Sequence, residues 1–254
     1  MYELRHPCIV NILAWYKKTG SMLQYGVVME KCDGGELGHF YTADKYEVPK
    51  GMQVILDTAH GLAYMHSFAI PIVHRDIKSA NVLVTGKGRG KLADCGESRR
   101  VDYNSTMTRK GSPLWAGGFC GTKGDDCGEQ CSLLRLFAAL LSPNKTLPHP
   151  TTTTTVAPEL LAGKRFTEKV DVWSFGVLML EVVNLEFPYP KEREWYKKSR
   201  MKGMDMDLLR NISTGKLLPE LLESRKDEIR GTQYAEIFRS ACMFDPIKRL
   251  TSSE

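Results

Sequence analysis

The sequence predicts an α+β fold that is mostly helical, with a small antiparallel sheet near its start. Three observations predict it. Two strand-like runs, residues 11–17 and 25–30, are separated by Lys18-Thr19-Gly20-Ser21, which reads as a hairpin. After Pro49, the residues Met52, Ile55, Leu56, Ala59, Leu62, Ala63 and His66 fall at offsets 0, 3, 4, 7, 10, 11 and 14, one face of an amphipathic helix. Residues 171–180 are apolar nearly all round, as in a helix buried at a domain centre.

Taken in order, residues 1–10 read as the last turn of a helix, stopped at Pro7 and running into extended backbone. Two strands alone are marginal in water, so further structure is expected to cover the first hairpin. After Asp33-Gly34-Gly35 a short helix is predicted over 36–41, and then the long one, whose first turn suits Pro49. Val82-Leu83-Val84 and Lys91-Leu92-Ala93 flank Gly86-Lys87-Gly88-Arg89-Gly90 and form a second hairpin. Residues 97–115 are polar and rich in hydroxyls, and surface helices are expected over 205–211 and 233–244.

Composition narrows the function classes. With 42% hydrophobic and 26% charged residues, the chain can bury a core. A scattered net charge of +5 argues against nucleic acid or a membrane surface as the main partner. Seven cysteines without regular spacing fit reduced thiols rather than a disulfide framework. The apolar runs 133–141 and 177–183 are short and broken by Arg135 and Glu181, and the N-terminus has no signal pattern. A cytoplasmic protein with no membrane insertion is expected.

The chemistry concentrates in Ile72-Val73-His74-Arg75-Asp76-Ile77-Lys78-Ser79-Ala80-Asn81-Val82-Leu83, followed by Asp94-Cys95-Gly96. Asp76 is a candidate base, Lys78 a cation, and Asn81 and Asp94 are metal-capable oxygen side chains at the two ends of the second hairpin. That combination suits phosphoryl transfer. His74 reads as a packed core histidine, and Glu181 as edge-facing or hydrogen-bonded. The spacing of Cys120, Cys127, Cys131 and His149 matches no ordinary zinc pattern.

With Ala157-Pro158-Glu159, Asp171-x-Trp173-Ser174-x-Gly176 and Arg249 following in order, the chain resembles the eukaryotic protein kinase domain, chiefly its C-terminal lobe. The resemblance covers about residues 4–115 and 157–250. Residues 1–32 look like a remnant of the N-terminal lobe and hinge, and 33–115 like the first part of the C-terminal lobe. Residues 116–155 look like a low-complexity insertion, and 156–254 like the second part of that lobe, truncated at its end. Lys78 is similar to serine/threonine kinases, while Lys78-Ser79-Ala80-Asn81 and Gly111-Ser112-Pro113-Leu114-Trp115 are similar to their tyrosine-kinase-like group.

The resemblance implies ATP-dependent phosphorylation of serine or threonine on protein substrates. Asp76 would orient the acceptor hydroxyl and take its proton, Lys78 would steady the transferred group, and Asn81 with Asp94 would hold Mg²⁺. Met29 would gate the adenine pocket, the backbone at Glu30 and Cys32 would address the base, and Leu83 would form its floor. Arg75 would pair with a phosphate placed on Thr106 or Thr108 by an upstream kinase. Glu159 with Arg249 would be a buried ion pair, and Asp171 would brace the catalytic loop.

Three departures qualify this. The 254 residues include no glycine-rich Gly-x-Gly-x-x-Gly loop, and no strand lysine with its helix glutamate, so little or no activity of the chain by itself is expected. A non-catalytic interaction scaffold is the alternative. Cys95 stands where the family usually has phenylalanine. Lengthening the Trp115–Ala157 connection from about 5 to about 45 residues costs only roughly 2 kcal/mol in closure entropy. Two readings of that stretch remain: translated non-coding sequence, or a regulatory loop.

Overall fold

A computed structural model describes residues 4–18, 24–41, 48–101, 155–185, 189, 204–219 and 233–253. In chain order the first elements are β1 (Ile12–Lys18), β2 (Gln24–Met29), β3 (Gly35–Glu36), α1 (Leu37–Tyr41), α2 (Val48–His66) and β4 (Ile72–Val73). There follow β5 (Val82–Val84), β6 (Gly90–Leu92) and β7 (Arg99–Arg100), then α3 (Pro158–Leu161), α4 (Lys169–Asn184), α5 (Met204–Ser213) and α6 (Gln233–Ala241). The strands form three small antiparallel sheets: β1 with β2, β3-β5-β6, and β4 with β7. This is the mixed, mostly helical α+β architecture that the sequence predicts.

Helix α4 is the axis. Every residue from Val170 to Asn184 is buried, because α2 packs on one side of it and α6 on another. At Gly176 an added Cβ would lie 2.6 Å from Cys242 Sγ, so glycine lets α6 close on α4. Helix α2 packs in turn on β6, where a Cβ at Gly90 would lie 2.7 Å from the Val54 carbonyl. Since α2 is held between a sheet and a helix, its buried face is wider than the predicted stripe: Val54 and Met65 are buried, whereas Leu56 is half exposed.

Several expectations are corrected. Residues 4–6 carry no helix; the segment after Pro7 pairs with β6 instead, with Leu92 N–H donating to Cys8 O (2.8 Å) and Val10 N–H to Leu92 O (2.9 Å). Glu36 belongs to a strand rather than to the short helix, since it stands opposite Leu83 across β3 and β5. The two late helices are the surface helices expected, each with one buried face: Leu208, Leu209 and Ile212 on α5, and Phe238 and Ala241 on α6. On the first hairpin Trp15 at 48% and Met29 at 50% are exposed. Glu181 is fully buried in α4, accepting a hydrogen bond from Ser79 Oγ at 2.9 Å, so it is hydrogen-bonded and not edge-facing.

The far end of α4 holds a saturated ion pair. Arg249 donates from Nη1 to Glu159 Oε1 (2.6 Å) and Lys169 O (3.0 Å). From Nη2 it donates to Glu159 Oε2 (2.9 Å) and Phe244 O (3.1 Å), and from Nε to Met243 O (2.7 Å). All five guanidinium donors are used, and the group lies 5.0 Å from the Trp173 ring. Removing one partner of such a pair strands the other charge in the core. Arg249→Met should therefore lower the unfolding free energy in urea by about 3–5 kcal/mol, whereas an exposed substitution such as Lys216→Met should stay within about 0.5 kcal/mol.

Candidate active site

The loop between β4 and β5 places the reactive side chains by hydrogen bonding within itself. Lys78 Nζ donates to Asp76 Oδ2 at 2.8 Å, and Asn81 Nδ2 donates to the same oxygen at 2.8 Å and to the Asp76 carbonyl at 2.8 Å. A short 3-10 turn over Ser79–Asn81 makes this possible by bringing Asn81 back toward Asp76. The Asp76 carboxylate is thus held between a cation and an amide, partly open to solvent. Asn81 keeps its side-chain oxygen for another partner, because its nitrogen makes both of those bonds.

The loop is suspended from α4. Asp171, fully buried, accepts from His74 N–H (2.7 Å, Oδ2), Arg75 N–H (2.8 Å, Oδ1) and His66 Nε2 (2.8 Å, Oδ2). His74 is the core residue expected: its Nε2 meets Ala93 O at 3.0 Å, and its Nδ1 accepts from Asp76 N–H at 3.3 Å. Arg75 has a left-handed backbone (φ 69°), and its guanidinium turns inward to Glu97, with Nε 2.6 Å from the carbonyl and Nη2 3.5 Å from the carboxylate. Burial and the like charge of Arg99 press that guanidinium below the ordinary arginine range, with Glu97 opposing them.

Asp94 follows β6 in a left-handed conformation (φ 54°), exposed, its carboxylate accepting from Gly96 N–H at 3.3 Å. Ala93 N–H donates to Asn81 O at 2.8 Å, so the two metal-capable positions are tied by one backbone bond. Along the hinge, the Glu30 carboxylate accepts from Asn11 N–H (2.7 Å) and Lys91 Nζ (2.8 Å), which turns its side chain toward β6. Gly35 N–H donates to Cys32 O at 3.2 Å and Gly34 N–H to Val84 O at 2.8 Å, linking the hinge to the residue after Leu83. Met29 ends β2 with half its surface exposed. Thr106, Thr108, Cys120, Cys127, Cys131 and His149 lie outside the described residues.

The sequence reading missed three polar contacts. His66 falls on the apolar stripe of α2, yet its ring bonds Asp171; its position at the end of the helix, eight residues before His74, was the available signal. Ser79 ties the loop to Glu181, a partner 102 positions away. Asp57, buried on α2, accepts from Arg89 at 2.8 and 2.6 Å, from Gly90 N–H at 2.8 Å and from Gln53 at 3.3 Å. Asp57, Cys8 and His60 have ligand-type atoms within 4.8 Å of one another, but the Asp57 oxygens are already taken by those donors, which disfavours a metal there.

A carboxylate beside a lysine and an amide, on a loop braced from a buried helix, is the arrangement expected of a kinase-type domain. The chain belongs to the protein kinase domain family, which matches residues 1–118 and 137–254 and leaves out a stretch inside the expected insertion. Similar proteins include the mitogen-activated protein kinase kinase kinase 13-B of Xenopus laevis, 30% identical over 189 residues, 74% of this chain and 15% of that protein. Another is the serine/threonine-protein kinase ste20 of Emericella nidulans, 29% identical over 194 residues, 76% of this chain and 18% of that protein. The chain spans less than a third of the length of these curated relatives, several of which are named as serine/threonine kinases. Among the described residues no helix is long and apolar enough to cross a membrane.

Asp171 also dictates a pH response. Burial pushes its carboxyl up, but the bond from His66, the charges of His66 and His74 and the Arg75 amide outweigh this and hold it below the ordinary aspartate range. A depressed folded value means that the contribution to stability is complete above the unfolded value of about 4 and is lost as pH falls through the lower folded value. Urea midpoints of the native chain should therefore fall more steeply below about pH 4 than those of Asp171→Asn, which should already be about 1–3 kcal/mol less stable at neutral pH.

Proposed function

We propose that the protein transfers the γ-phosphoryl group of ATP to serine or threonine hydroxyls of protein substrates in the cytoplasm, with Mg²⁺ as the metal. The observation that carries this reading is the joint approach of Lys78 and Asn81 to one oxygen of Asp76. In the proposed reaction the free oxygen of Asp76 receives the hydroxyl proton and aligns the attacking oxygen. Lys78 lies beside it, where a cation stabilises negative charge gathering on the transferred group. Asn81 holds the Asp76 carboxylate in position through its side-chain nitrogen, which leaves its oxygen for the cation.

Asn81 and Asp94 fit a hard divalent cation, since they offer a carbonyl and a carboxylate oxygen and the Asn81 oxygen is left over from the amide's bonds to Asp76. When bound, Mg²⁺ offsets phosphate charge and fixes phosphate geometry. Met29, the backbone of Glu30 and Cys32, and Leu83 are assigned to the adenine. The Glu30 side chain is bound away toward Lys91, which supports a backbone role for that residue. Arg75 is assigned to a phosphate on Thr106 or Thr108, added by an upstream kinase, and such a phosphate would compete with Glu97 for the guanidinium. The wording of residues 78–81 and 111–115 supports the tyrosine-kinase-like group.

Two measurements test the proposal. Mg²⁺-ATP at 100 times its dissociation constant should stabilise the chain by about 2.7 kcal/mol, and Asp94→Ala should abolish the shift; no shift in either protein favours the scaffold reading. The 254 residues by themselves should phosphorylate a generic protein substrate no faster than their Asp76→Asn variant, because no glycine-rich loop or strand lysine is among them. Turnover well above that variant would overturn this part.

A further inference from the structure

A side chain of the C-terminal segment reaches the groups that brace the loop carrying Asp76. Ser252 Oγ lies 2.9 Å from His66 Nδ1, a contact between residues 186 positions apart, and the His66 side chain is only 5% exposed. The other ring nitrogen, Nε2, lies 2.8 Å from Asp171 Oδ2, the oxygen that also accepts from His74 N–H. Asp171 is held in its charged form, so it offers only acceptors and Nε2 must carry the hydrogen. The Ser252 hydroxyl serves the other nitrogen in either protonation state, donating to Nδ1 of a neutral ring and accepting from Nδ1 of a charged one. With the opposite tautomer, an imidazole lone pair would face a carboxylate oxygen at hydrogen-bond distance. The Asp171 carboxylate thus sets which ring nitrogen carries the hydrogen, and Ser252, by bonding the opposite nitrogen, holds the ring in the orientation in which His66 meets Asp171.

We propose that Ser252 is a positioning residue: acting through His66, its hydroxyl fixes the Asp171 carboxylate against the His74 and Arg75 amides, so that the C-terminal segment sets the geometry of the loop carrying Asp76. No group of Ser252 touches a reacting atom. Its effect passes through two hydrogen bonds to the Asp171 carboxylate, and from there into the backbone on the N-terminal side of Asp76. The segment has a separate anchor, since Lys169 Nζ donates to the carbonyls of Arg249 and Leu250, each at 2.9 Å. Loss of the hydroxyl thus leaves the segment attached while removing its hydrogen bond to His66. This inference stands whether or not the chain transfers phosphate.

The test is amide hydrogen exchange, residue by residue, on the 254-residue chain. In Ser252→Ala the His74 and Arg75 amides should exchange about tenfold faster, as expected when one hydrogen bond's support is removed. The Gly90 amide, bound to Asp57 in a different part of the core, should be unchanged. Ser252→Thr, which keeps the hydroxyl, should return both amides to within about twofold of the native rate. Unchanged His74 and Arg75 exchange in Ser252→Ala, or acceleration at Gly90 as large as theirs, would overturn the proposal. Failure of the threonine variant to restore the amides would do the same.

Discussion

One buried carboxylate holds this site together. Asp171 accepts two consecutive backbone amides, those of His74 and Arg75, and such a pair can point at one group only if the chain turns sharply between them. The turn is visible in the φ of 69° at Arg75, a left-handed conformation that disfavours side chains by roughly 1–2 kcal/mol. Charge-assisted hydrogen bonds of the kind Asp171 makes contribute more than that. The strained backbone persists because the carboxylate holds it, and the direction of Asp76 follows from the strain. The same turn drives the Arg75 side chain inward, where burial leaves it needing anions and Glu97 supplies the nearest.

A carboxylate at the centre of a protein requires a helix that is itself rigidly placed, which explains the character of α4. It buries charged residues, Asp171 and Glu181, on an otherwise apolar surface, and both reach the loop between β4 and β5: Asp171 through its backbone, Glu181 through Ser79. Two other buried carboxylates follow the same logic elsewhere. Asp57 fixes the β5–β6 turn by accepting from Arg89 and Gly90 N–H, and Glu159 fixes the chain beyond α6 through Arg249. Buried ion pairs of this kind add little net stability compared with apolar packing, but breaking one is costly, so they penalise alternative arrangements of the same segments.

Much of this was legible because the informative residues are local. The spacing of Asp76, Lys78, Asn81 and Asp94 spans one loop and one hairpin, and periodicity located α2 to within about two residues of its ends and placed 171–180 inside α4, which runs Lys169–Asn184. What escaped the sequence depends on partners far along the chain. The residues before Pro7 look like a helix end until the extended segment after it pairs with β6, and Glu36 looks helical until Leu83 stands opposite it. His66 fits an apolar periodicity as well as any leucine, and only the fold shows that its two nitrogens meet residues 105 and 186 positions away. Periodicity reports which face is buried. It says nothing about which buried group needs a hydrogen-bond partner.

The same reasoning bears on the long connection between β7 and α3. Val101 is buried and its N–H donates to Pro71 O at 2.9 Å; Thr155 is buried and its carbonyl accepts from Ser174 Oγ at 2.7 Å. The residues on either side of 102–154 are thus held by the core, one beside β4 and the other on α4. With both ends fixed, added length enters the folding balance mainly through closure entropy, which grows only logarithmically. Asp171, Glu159 and Arg249 all lie beyond the connection in sequence, yet Asp171 reaches back across it to His66, His74 and Arg75. The geometry around Asp76 therefore depends on contacts among described residues that lie on both sides of 102–154.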